Sequence, residues 1–101
     1  MNYLDELANE IERELQPDLI PSGETASLFR LYALLALVKG AEVSAKDVHD
    51  AWSVWMTDRE PGHPSLRPFS DLDAETRKAD EPFVAAIRAV AAQRAHAAPA
   101  H

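Results

Sequence analysis

The chain contains no cysteine, so disulfides, thiol catalysis and thiolate metal ligation are all excluded. It has only three glycines and no repeat of them, which removes phosphate-cradling glycine loops and dinucleotide fingerprints. The longest apolar run, Leu31 to Val38, is far shorter than the roughly 20 residues that cross a bilayer. Near the start, Asp5, Glu6, Glu10 and Glu12 stand where a secretory signal would need basic and then apolar residues, so a cytoplasmic location is expected. Basic charge is also scarce. Residues 1–58 hold eleven acids against Arg13, Arg30, Lys39 and Lys46, whereas residues 59–101 are balanced. An acidic half repels phosphate backbones and argues against general nucleic-acid binding.

What remains is a 101-residue chain that is 47% hydrophobic, enough for one modest core. Leu4, Leu7, Ala8, Ile11 and Leu15 recur at helical spacing, with Asn2 as N-cap and Pro17 as the stop. The opposite face, Asp5, Glu6, Glu10, Glu12 and Glu14, reads as a solvated surface, or alternatively as an acidic docking face. Residues 17–24 form a connection. From Thr25 to Lys39 the pattern is helical but apolar nearly all round, which predicts a central helix covered on several sides, closed by Gly40 as the C′ residue. Ser44 and Asp47 predict a capping box, and Val43 with Val48 a hydrophobic staple, at the start of helix three. Val48, Ala51, Trp52 and Trp55 then share one stripe. Both indoles are expected in the core, or else lining a ligand pocket or partner surface.

Between Asp58 and Leu72 the prolines Pro61, Pro64 and Pro68 exclude a helix. His63 and Arg67 each precede a proline and are expected to be extended, with Leu66 and Phe69 pointing inward and Ser65 and Arg67 facing water. This strap would close one side of the core. Asp71 or Asp73 is expected to cap a short turn through Lys78, and Asp80 to cap a last helix with Phe83, Ile87, Val90 and Ala91 inward. The expected fold is mainly α: a small single-domain bundle of about four helices over residues 1–92, an extended proline-rich strap between helix three and the C-terminal helices, and a disordered tail over 93–101.

His49-Asp50-Ala51-Trp52, then His63-Pro64-Ser65-Leu66-Arg67-Pro68-Phe69-Ser70-Asp71-Leu72, then Glu75, Lys78, Asp80 and Ile87, resemble the RyR domain, the ryanodine-receptor repeat also found in small bacterial and phage proteins. The likeness covers about residues 47–91. It lacks the family's Gly-, Trp- and Tyr-bearing insertion before the strap and its closing Gly-Tyr. It implies a compact helical module without catalytic residues, with ligand sensing in microbial members; tandem copies in the receptors imply a homodimer here. His49, Trp52, His63, Pro64, Leu66, Pro68, Phe69, Leu72 and Asp80 are the motif positions.

No nucleophile elbow or zinc pattern occurs, and His96 and His101 have no metal spacing with His49 or His63. The chain therefore reads as a binding module without cofactor or metal, and not as an enzyme. The candidate ligand site is Trp52, Trp55, His63 and Arg67, suited to a small anionic or nucleotide-like ligand. A protein-interaction module using the acidic helix-one face or an exposed tryptophan is the alternative. A helix-turn-helix from helices two and three is disfavoured by Asp47, Asp50 and Asp58. His49, His63 and Asp80 are otherwise expected to be structural.

Overall fold

The computed structural model describes residues 2–97, with side chains to Arg94 and Ala95. Among these residues there is no strand. The helices are α1 (Tyr3–Arg13), α2 (Ala26–Val38), α3 (Ala45–Arg59), the short α4 (Ala74–Lys78) and α5 (Glu81–Ala97). Single 3-10 turns lie at Pro17–Leu19, Gly40–Glu42 and Phe69–Asp71.

The helix starts follow local chemistry. Asn2 and Asp5 form a reciprocal capping box at α1, and Ser44 and Asp47 form another at α3. Asp73 accepts from the Thr76 amide at 2.8 Å and starts α4. Thr25 makes no side-chain cap at α2; Glu24 instead accepts from the Ser27 amide at 3.0 Å. Gly40, with φ of 58°, follows Lys39, the C-cap of α2, in the left-handed region and turns the chain toward α3.

α2 packs against α1, α3 and α5 and is the centre of the bundle. Leu7, Ile11, Leu28, Phe29, Val48, Trp55, Ile87 and Val90 fill the interior. The Phe29 and Tyr32 rings meet edge to face at 5.5 Å. The Arg88 Nε donates to the Val43 carbonyl at 2.8 Å, tying α5 to the turn that precedes α3. The cover expected for α2 on several sides is present, supplied by α1, α3 and α5, but it does not go all round. Leu34, Leu37 and Val38 are 48%, 40% and 66% exposed, because only three helices surround it and one side stays open.

The strap lies between α3 and α4, but as a chain of turns. Pro61 and Pro64 occupy second positions of turns in which the His63 amide donates to the Glu60 carbonyl and the Leu66 amide to the His63 carbonyl. The Pro68 carbonyl accepts from the Asp71 amide and opens the next turn. Proline's fixed φ suits a turn as well as an extended chain, and the successive turns let the strap hug α3. Leu66 and Phe69 are half-buried and Leu72 is buried, while Arg67 is exposed. α5 continues through Gln93 to Ala97, into the segment expected as a tail, and residues 98–101 lie outside the described residues. The side chain of His96 and all of His101 also lie outside the described part.

Candidate functional site

α3 presents His49 toward the strap, and its ring is only 3% exposed. Its Nε2 stands 2.7 Å from the Arg67 carbonyl oxygen, which can only accept, so Nε2 carries a proton and donates. One buried imidazole thereby pins the middle of the strap. The ring also stacks on Trp52 at 5.6 Å and meets Phe69 at 6.2 Å. Arg77 of α4 fastens the strap's far end, with Nη2 donating to Ser70 O at 2.6 Å, Nε to Phe69 O at 3.2 Å, and its guanidinium over the Phe69 ring.

Beside this anchor a cleft of about 260 Å³ opens. Leu19 and Pro21 from the α1–α2 connection, Trp52, and Phe83 make apolar walls. Tyr32, His49, Ser65, Thr76 and Asp80 bring polar groups into it. Tyr32 is 2% exposed, yet no described residue hydrogen-bonds its hydroxyl. No fully sealed polar side-chain atom lacks a partner among the described residues, so this hydroxyl is not fully sealed, and its residue lines the cleft. Burial, reinforced by the Asp80 charge, pushes the phenol's pKa well above its ordinary value.

Asp80 immediately precedes α5, and its backbone carbonyl accepts from the Phe83 and Val84 amides at 3.1 and 3.0 Å. Its carboxylate takes no hydrogen bond from any described residue. The residue expected to cap with its side chain thus occupies the cap position while its carboxylate stays unpaired at the cleft. Burial raises its pKa to about 6, with His49 opposing the shift.

Of the four residues grouped from sequence, the fold brings only Trp52 and His63 together. The His63 ring meets the Trp52 indole edge-on at 5.0 Å, and its Nδ1 accepts from the Ser65 amide at 3.0 Å. Trp55 is 5% exposed and packs in the interior under the Arg59 guanidinium, 4.3 Å from its ring. Arg59 in turn donates to Ser22 O at 3.3 Å, so the indole has no face left for a ligand. Arg67 lies at a separate shallow groove with Asp50, Ser53, Thr57, Leu66 and Pro68. Tyr32 and Phe83, which sequence alone reads as core, line the cleft, as do Leu19, Pro21, Ser65, Thr76 and Ala79, which the sequence reading placed in no site, and His49 and Asp80, which it read as structural. No periodicity marks a core tyrosine whose hydroxyl emerges elsewhere. Asp80 could have been found as an acid near His49 only by knowing the fold. Among the described residues no three His, Asp or Glu converge as a metal would need.

The chain matches, over residues 2–92, the model of a family described as a domain of unknown function (DUF7701), and it belongs to that family. This corrects the resemblance to the RyR domain, for which no match is found. The residues that carried that likeness have local structural duties here: Pro64 and Pro68 set turns, and His49 anchors the strap. The argument for a homodimer, drawn from the RyR repeats, falls with it. No curated protein and no solved structure matches the chain.

Proposed function

We propose that this member of the DUF7701 family is a non-enzymatic binding module, and that the cleft between α2, α3, the strap and the start of α5 takes a small planar ligand. The observation that carries the reading is that Tyr32 and Asp80 line one cleft and that neither side-chain oxygen group takes a hydrogen bond from a described residue. Polar groups that the chain itself leaves without a partner, two of them in one apolar-walled cleft, suit a bound molecule. The Trp52 indole supplies a stacking wall. The anionic ligand of the sequence reading depended on Arg67, which does not line this cleft. Its planar part is retained and its negative charge is not.

The other readings have less to stand on. Trp55 is buried and Trp52 turns into the cleft, so an interaction surface built on an exposed tryptophan has no residue for it. The solvent face of α3 carries Asp50 and Asp58, which repel DNA phosphates. The test is an NMR titration with planar fragments of varied charge. Binding that shifts the Trp52 indole and Phe83 signals, and weakens about five-fold or more in Trp52→Ala, supports the reading. Absence of any millimolar binder, or binders mapping only to the groove by Arg13 and Arg94, overturns it.

A further inference from the structure

Resting on the reading of the cleft as a ligand site, we infer that its ligand is a small planar nitrogen cation, an aryl amidine or a basic amino-heteroaryl compound whose N–H groups donate to Asp80 while its ring stacks on Trp52. Size sets the first limit. A cleft of about 260 Å³ holds roughly nine water volumes of ~30 Å³ each, matching a ligand of about ten non-hydrogen atoms.

Charge sets the second. Tyr32, His49 and Asp80 are the ionisable residues lining the cleft, and neither lysine nor arginine is among its walls. The His49 Nε2–H is already committed to the Arg67 carbonyl. The Arg59 and Arg77 guanidinium groups are engaged elsewhere, on Ser22 O and on Phe69 O and Ser70 O. An anion would therefore meet a carboxylate with no lysine or arginine among the walls to offset it. A cation meets one acceptor carboxylate, a phenol oxygen that can also accept, and the negative face of an indole.

The hydrogen-bond inventory sets the third. An amidinium or a protonated amino-heteroaryl ring can satisfy Asp80 and Tyr32 together, and a charge-assisted bond to a carboxylate is about twice as strong as a neutral one. Ligand binding would also keep Asp80 ionised, so it is weakened by acid. The groups facing Asp80 are Tyr32 from α2 and His49 from α3, while the strap and α4 contribute Ser65 and Thr76, which do not titrate.

Benzamidine, benzamide and benzoate share one shape and differ in charge, and they serve as probes in NMR titrations of the full chain at pH 7.5 and low salt. Benzamidine is expected to bind about ten-fold tighter than benzamide, the difference between charged and neutral hydrogen bonds, with benzoate weakest. Asp80→Asn should bring benzamidine and benzamide to within about two-fold of each other, as should lowering the pH of the unmodified protein to 5. The pH arm tests the same point should the variant fold poorly. Equal binding of benzamidine and benzamide in the cleft, a preference for benzoate, or a preference that survives both Asp80→Asn and pH 5 overturns the cationic ligand while leaving the cleft as a site. No shift of Trp52 or Phe83 with any probe at millimolar concentration removes both readings.

Discussion

Tyr32 divides the molecule into two regions that share one residue and treat it in opposite ways. Its ring belongs to the interior with Phe29, Leu28 and Ile11, where each side chain is closed over by another. Its hydroxyl belongs to the cleft, where Asp80 and Trp52 are only partly covered and polar atoms lack partners. Burial in the interior is complete because apolar surface asks only for contact. Burial at the cleft is incomplete because a carboxylate and a phenol ask for directed partners, and the chain supplies His49 with one but not these two. A region finished by its own sequence stabilises the fold. A region left unfinished is where an outside molecule gains most.

The sharpest contrast comes from removing a ring on the finished side. Phe29→Ala should cost about 3–5 kcal/mol by chemical denaturation, since a fully buried aromatic leaves a cavity in the interior. A smaller loss there would mean that the interior collapses easily and is less complete than described. On the boundary, His49→Ala removes the strap's anchor and leaves the Arg67 carbonyl unpaired, at about 2–3 kcal/mol. Amide exchange should then quicken across Leu66 to Leu72 and stay slow in α1, whereas uniform quickening would show that the strap and the bundle open together.

Asp80→Asn should do the reverse and stabilise, by about 1 kcal/mol at pH 7.5, discounted because the site is open to water. The sign follows from the raised value of about 6 against the usual 3.8. The folded protein holds this proton more tightly than the unfolded chain, so the ionised carboxylate opposes folding above pH 6 and ceases to do so below about pH 4. Denaturation curves of the two proteins should therefore converge on acidification, and a gap independent of pH would deny the carboxylate this role. Smallest of all, Leu34→Gln with Val38→Gln should change stability by under about 0.5 kcal/mol per site, because that side of α2 is already in water. A larger cost would reveal a cover over α2.

The same division separates what could be read in advance. Asn2, Ser44 with Asp47, Asp73 and Gly40 act within a few residues of themselves, so caps and turns are legible from spacing. The stripe of α1 is legible for the same reason. Trp52 and Trp55 look alike by periodicity, yet Arg59 and the α1–α2 connection cover one while the strap leaves the other on a cleft. For α2, the pattern Leu31 to Val38 announces an apolar helix without saying which side its neighbours take. Arg67 and Asp80 mark where local spacing stops being informative. The carbonyl of Arg67, not its guanidinium, is the group used, and the side chain of Asp80 turns from its own helix to the space beside Tyr32.

Local hydrogen bonding and helical periodicity, both set by residues close along the chain, were enough to determine the helices, the capped starts of α1, α3 and α4, and the proline break between α3 and α4. The cleft was decided only in three dimensions. Its walls come from positions 19 to 83, and whether Tyr32 and Asp80 find partners depends on packing between segments that the order of residues does not bring together.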